Sequence, residues 1–246
     1  MIHYMAVKSA YECNKPDTIY FHYAHEPSGE WWEKAKPYLT LSRVDVPTEI
    51  FGRPLLHYAH RADVVRLEVL LKYGGIYLDI DVLCVRSLGP LRSYCVVMGK
   101  EREGGLCNAV ILAEKEAPFI RRWHESYHTF RSTGKDEYWS EHSVEKPFEI
   151  AKEMPDQIHV VSRHCFFWPT YHYSWLLFGV GAHRHIVERV IGFFAQPVAY
   201  LIVRSFSYGV HLYESMWWDK HLQGLTPEKV RMMRRNFGWL FRKYLP

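Results

Sequence analysis

The sequence predicts an α/β protein, a layered sandwich of helices around a mostly parallel central sheet. Three observations predict it. Helix-period and strand-like segments alternate from Ile2 to Glu153. The chain, at 246 residues, is long enough to bury one sizeable core, and neither a repeat nor a low-complexity linker divides it. One short apolar run, introduced by a glycine pair, ends in Asp79-Ile80-Asp81, beyond the carboxyl end of a strand, where open α/β sheets hold their ligands.

Hydrophobic periodicity sets the elements in order. An amphipathic helix over Ile2–Glu12 comes first, then a strand near Thr18–Tyr23, a helix over Glu30–Lys36 and a strand near Leu39–Val44. A longer helix over Leu56–Lys72 is stopped by Gly74 and Gly75, and the strand Ile76–Leu78 follows directly. Strands at Cys95–Gly99 and Asn108–Leu112 and helices at Pro118–Phe130 and Val144–Glu153 continue the alternation. The second half is aromatic-rich. Its charge-poor stretches, Val190–Val203 and His164–His183, are too short or too polar to span a membrane and read as core elements. From 219 to 246 the chain reads as a basic helical tail. Between Lys229 and Tyr244, Val230, Met233, Phe237, Leu240, Phe241 and Tyr244 share one face, with Arg231, Arg235 and Arg242 opposite. Such a helix packs on its own core; a weak membrane-surface contact is the alternative.

Composition narrows the partners. A formal net charge of +4 with scattered basic residues does not make a nucleic-acid footprint, while phosphorylated small molecules remain compatible. The five cysteines form no C-x-x-C pair, so neither a zinc ribbon nor a redox motif is predicted, and their disulfide status stays open. The first residues lack the pattern of a signal peptide, and no N-x-S/T sequon occurs.

Chemistry concentrates around the glycine pair. Asp79 and Asp81 read either as a solvated strand end or as oxygen ligands for a hard divalent cation that neutralises phosphates. On a helical wheel Asp63 and Arg66 fall on the apolar face with Ala59, Leu67 and Leu70, while Arg61, Val65, Glu68 and Lys72 lie opposite. Buried charges need partners. These two form either a half-covered i, i+3 pair or part of the pocket that holds the aspartates.

The whole run ADVVRLEVLLKYGGIYLDIDV, from Ala62 to Val82, resembles the DXD-containing glycosyltransferases of family 32. Its order is aspartate, arginine three residues on, apolar helix end, Gly-Gly, aromatic strand and Asp-X-Asp. The family includes α-1,4-galactosyltransferases, yeast initiating mannosyltransferases and, more distantly, glucosylating clostridial toxins. The resemblance implies the GT-A nucleotide-sugar-binding fold over 1–246 and a manganese or magnesium ion between enzyme and donor diphosphate. It implies that Asp81 ligates the metal, that Asp79 reaches the ribose or the metal's water shell, and that Asp63 and Arg66 hold the donor sugar beside Gly75 and Tyr77. Cys107-Asn108-Ala109 matches the family's asparagine, so Asn108 is expected near the leaving oxygen. Toward the C-terminus His211, Ser215 and Trp217 stand where the family has histidine, serine and tryptophan. His211 is then a third metal ligand, and Trp217 donates its indole N–H to a phosphate oxygen. One departure concerns base recognition: family members begin with an apolar strand, and here the chain opens on the helix that follows it.

The resemblance implies a retaining transfer from a UDP- or GDP-sugar to a glycan or other hydroxyl, with the departing phosphate oxygen as base. In a eukaryote the setting implied is the Golgi or secretory lumen, in a bacterium the cytoplasm. Trp168, Tyr171, Tyr173 and Trp175 form either core packing or an acceptor platform. An aspartate-nucleophile phosphatase is disfavoured, because Leu83 occupies the small-residue position after Asp-X-Asp and no Gly-Asp or Asp-Asp dipeptide occurs. A catalytically inactive glycan-binding scaffold of the same fold is the remaining alternative.

Overall fold

The computed structural model describes residues 1–180 and 185–246. Residues 181–184, at the end of the stretch His164–His183, lie outside the described residues.

Helix α1 (Ile2–Asn14) leads into strand β1 (Tyr20–Tyr23), helix α2 (Glu30–Ala35) and strand β2 (Thr40–Arg43). β1 and β2 pair in parallel, with Tyr20 opposite Thr40, so α2 is the crossover of a β-α-β unit. A small hairpin of β3 (Glu49–Ile50) and β4 (Arg53–Pro54) turns at Phe51 and Gly52, both with positive φ. Helix α3 (Tyr58–Tyr73) starts where the His57 ring accepts the Ala59 N–H, and ends at Gly74, which has φ 67°. A Cβ there would lie 2.6 Å from the Lys115 backbone nitrogen, so the sharp entry into β5 (Gly75–Leu78) depends on glycine.

The chain continues through β6 (Val82–Cys84), β7 (Val96–Arg102), β8 (Gly105–Ala113), α4 (Pro118–Ser126), α5 (Lys146–Glu153) and β9 (His159–Val161). The main sheet has the order β5-β8-β7-β9, and all nine residues of β8 are buried. The parallel arrangement anticipated for the sheet holds for β1–β2 and for β7–β9, but β8 runs antiparallel to both β5 and β7. The cause is local: Gly104, with φ 76°, turns β7 straight back into β8, and a hairpin is antiparallel by construction. Apolar side chains pack in two clusters. One lies among α3, α4, α5 and the sheet, around Leu67, Ile111 and Trp123. The other joins α1, β6 and the C-terminal elements, around Met5, Leu83 and Phe237.

The remaining elements are α6 (Trp175–Phe178), α7 (Ile186–Phe206), β10 (Gly209–His211), α8 (Glu214–Trp217), α9 (Pro227–Met232) and α10 (Asn236–Phe241). The single helix anticipated over Lys229–Tyr244 is two, because Met233 turns to extended backbone between them. The apolar stripe read from the sequence faces mostly inward: Val230, Phe237, Leu240, Phe241 and Tyr244 are buried, so that stripe is core and does not itself meet a membrane. The reading of Val190–Val203 as a core element does not hold. Val190, Ile191, Phe193, Phe194, Val198 and Leu201 of α7 are all exposed. No described helix is long and apolar enough to cross a membrane.

Candidate active site

The Asp-Ile-Asp segment is a tight turn between two sheets. Asp79 N–H donates to the Ala109 carbonyl at 2.8 Å, continuing the β5 ladder, and Val82 N–H donates back to the Asp79 carbonyl at 3.0 Å. Ile80 is pushed to the surface, while the two carboxylates point inward toward different supports.

Asp79 faces α3. Its Oδ1 accepts the Tyr77 hydroxyl at 2.9 Å and lies 3.1 Å from Arg66 Nη1. Arg66 also reaches Asp63 Oδ1 at 3.1 Å and donates to the Asn108 carbonyl at 2.7 Å, with its plane over the Tyr77 ring. Asn108 closes the circuit by donating its side-chain N–H to Asp63 Oδ1 at 2.7 Å. Asn108 gets there through a bulge. Between the pairs Met98–Ile111 and Gly99–Cys107, one step on β7 is matched by four on β8, and bulges re-aim side chains in this way. The wheel projection holds for burial: Asp63 and Arg66 are buried and form the i, i+3 pair, and Arg66 also reaches Asp79. Burial raises the Asp63 pKa, against the opposing pull of Arg66 and the Asn108 hydrogen bond. Burial also works against the Arg66 charge, but Asp79 foremost, with Tyr77 and Asp63, raises its pKa above the ordinary value, so the guanidinium stays charged.

Asp81 faces the other way. β6 pairs antiparallel with β10, which sets His211 opposite Val82. His211 Nε2 then lies 3.3 Å from Asp81 Oδ2, and the same oxygen accepts the Glu214 N–H at 2.9 Å. Burial would raise the Asp81 pKa, but the His211 charge and these hydrogen bonds lower it to about 2. Burial would lower that of His211, but Asp81 first, then Asp79 and Glu101, raise it. Ligand atoms of Asp79, Asp81 and His211 lie within 4.8 Å of one another. Two carboxylates and an imidazole suit a divalent cation such as manganese, and buried His211 Nδ1 has no hydrogen-bond partner among the described residues.

Two anticipated residues, Trp217 and Gly75, stand elsewhere. Trp217 is 1 % exposed and its indole N–H donates to the Tyr171 carbonyl at 3.0 Å, so it is not open to a phosphate. The exposed indole is that of its neighbour, Trp218. Gly75 begins β5 and pairs with Ala113, at the far end of the strand from Asp79; it serves the turn. Ser215 is exposed in the first turn of α8, next to Glu214. Arg66 spends its donors on protein acceptors, which makes it a positioning residue.

Sequence reasoning missed Glu101, Tyr213 and Glu214. Glu101, at the end of β7, is half-buried; burial raises its pKa, and its charge acts on His211 and Tyr213. Tyr213 holds a left-handed backbone, φ 47°, between His211 and Glu214, and its buried hydroxyl has no partner among the described residues. No residue-type signal marks such a tyrosine. Glu214 ties α8 to α1 through His3 at 3.0 Å.

Residues 7–98 match the family model described as a glycosyltransferase sugar-binding region containing a DXD motif. The chain is 35% identical over 252 residues to glucan organizing enzyme 1 of Cryptococcus neoformans, covering 98% of this chain and 63% of that protein. It is 48% identical over 60 residues to inositol phosphoceramide mannosyltransferase 3 of Schizosaccharomyces pombe, covering 24% and 17% of the two chains. The chain thus spans less than two thirds of these relatives' length. Among solved structures, the galactosyltransferase LgtC in complex with donor and acceptor sugar analogs aligns over 99% of this chain and 90% of its own, at 14% identity and a TM-score of 0.44. The matched region includes Asp79-Ile80-Asp81, and there the chain is similar to the glycosyltransferases whose sugar-binding region contains a DXD motif.

Proposed function

We propose that the protein is a retaining, metal-dependent glycosyltransferase that moves a sugar from a UDP- or GDP-sugar to a hydroxyl of a glycan or glycoconjugate. The observation that carries this reading is the convergence of Asp79, Asp81 and His211 within 4.8 Å, beside the closed circuit of Asp63, Arg66, Asn108 and Asp79. The match of residues 7–98 to the DXD-containing sugar-binding region supports it.

When bound at the three ligands, Mn2+ or Mg2+ supplies the charge that stabilises the departing diphosphate. The protein supplies placement. Arg66 and Asn108 hold Asp63 by its Oδ1, which leaves Oδ2 to accept a sugar hydroxyl. Tyr77 and Arg66 fix Asp79, and the Glu214 N–H fixes Asp81, so the carboxylates need little rearrangement when the donor arrives. The acceptor side is taken to be the aromatic surface. Its exposed part is Tyr173, beside Trp168, and half-buried Tyr171 links it inward to buried Tyr213 at 5.6 Å, which lies 4.3 Å from His211.

A screen of UDP- and GDP-sugars for manganese-dependent nucleotide release tests the proposal. Release is expected from one donor and is lost on chelation and in Asp81→Asn. Turnover that survives both treatments would refute the metal-assisted reading, and glycan binding with no turnover of any donor would favour a scaffold.

A further inference from the structure

Helix α7 has its polarity reversed. Its 21 residues turn Gly192, Gln196, Ala199 and Val203 inward and large apolar side chains outward. Ile186, Val187, Phe193 and Phe194 are 63 to 75% exposed, and Ile191, Val198, Leu201 and Phe206 are 55 to 62% exposed. Together they present apolar surface on the order of 1,000 Å², where the largest patch on a soluble monomer is about 300–600 Å². Trp239 extends the patch: it is 49% exposed and packs edge-on against Tyr200 of α7 at 6.0 Å.

We propose that α7 lies in the surface of a lipid bilayer, with its outward face among the acyl chains and its axis in the membrane plane. The inner face is already covered by α6 and α10, so only one side is free for lipid. Asn236 fastens that side by donating to the carbonyls of Leu176 and Gln196, both at 2.7 Å. A helix of roughly 31 Å with a single apolar side lies along an interface and does not cross it. Charge selects lipid over a second copy of the chain. Arg204 near the end of α7 is exposed, and so are Arg234 and Arg235, which precede α10 where Asn236 bonds the Gln196 carbonyl of α7; anionic headgroups would meet these cations and an identical cationic copy would not. Trp239 fits the headgroup level, where indoles concentrate. The two phenylalanines project from a convex face, and fluid acyl chains can surround such knobs without a matching socket.

Flotation of the whole chain with vesicles tests this. Wild type is expected to float with phosphatidylcholine vesicles carrying phosphatidylserine, and more weakly with phosphatidylcholine alone. Phe194→Asp with Val198→Asp is expected to cut binding at least about tenfold, since each side chain loses its apolar burial. Arg234→Gln with Arg235→Gln is expected to cut binding to the anionic vesicles by roughly fivefold per charge and to leave binding to neutral vesicles unchanged. Circular dichroism verifies folding, with Phe193→Ser and Phe194→Ser as the milder pair if the aspartates unfold the chain. Wild type that ignores both vesicle types overturns the proposal. So does vesicle binding that survives these folded apolar-face variants, or a concentration-dependent dimer that they split while lipid binding is untouched.

Discussion

Asp79 and Asp81 stand one residue apart, yet their carboxylates are held by different parts of the chain. Asp79 is held from α3 by Arg66, Asp81 from β10 and α8 by His211 and the Glu214 N–H. Arg66 is the charge that makes the first arrangement tolerable, since it faces two carboxylates while almost wholly buried. Arg66→Ala should destabilise the protein by about 3–5 kcal/mol in urea unfolding, because two carboxylates lose their cation. Arg66→Lys should recover only part of this, as an ammonium cannot reproduce the fork. At Asp81 the expectation is a pH dependence. With its pKa lowered to about 2, Asp81 contributes stability that is present above its ordinary value of 3.8 and lost as pH falls toward 2. His211, with a raised pKa, contributes stability that is full below 6.5 and lost as pH rises through its folded value. Metal needs the neutral imidazole, so affinity should climb with pH above 6.5, by up to about tenfold per unit, until the ring has lost its proton. Calorimetric Mn2+ titration across that range should show the climb, and His211→Ala should flatten it.

At the scale of elements, the glycine pair is the joint between α3 and β5. Gly74→Ala meets the Lys115 backbone at 2.6 Å while holding a positive φ, and should cost about 2 kcal/mol or more in thermal or urea unfolding. The elements legible in the sequence are those that carry long, regular patterns. α1, α3, β1, β2, β5, β7, β8, α4 and α5 stand within a few residues of where periodicity puts them. Asp63 and Arg66 were legible for the same reason, because a helical wheel places a side chain once the helix is known. Short elements set by tertiary pairing were not. β6, β9 and β10 have three residues each, too few to show a period, and they exist because their partners lie alongside. His211 could be named only through resemblance, since nothing local in His-Leu-Tyr-Glu says that its strand will pair with Val82. Trp217 was misplaced for the converse reason: two adjacent tryptophans read alike, and only packing decides that the first is core and the second surface.

For the whole molecule, the C-terminal segment is part of the core and not an appendage. Val230, Phe237, Phe241 and Tyr244 are fully or nearly fully buried, and the Tyr244 hydroxyl donates to the Cys84 carbonyl at 3.1 Å, beside the strand that follows Asp81. A chain ending at Leu225 should therefore not fold, with loss of soluble yield and of the cooperative thermal transition as the readouts. Tyr244→Phe alone should fold and lose about 1 kcal/mol. The proposed metal ligands come from elements on both sides of the main turn, so saturating Mn2+ should raise a single unfolding midpoint, by an amount that grows with the logarithm of its concentration.

Arg86, just beyond β6, donates to the carbonyls of Ser205 and Phe206 at 3.0 and 2.9 Å, and His211 begins its work only five residues past the end of α7. The long helix and the imidazole are thus two ends of one short lever, pinned by a guanidinium just past the strand that follows Asp81. Were α7 seated on the bilayer as proposed, this link would fix how high above the lipid the His211 imidazole stands.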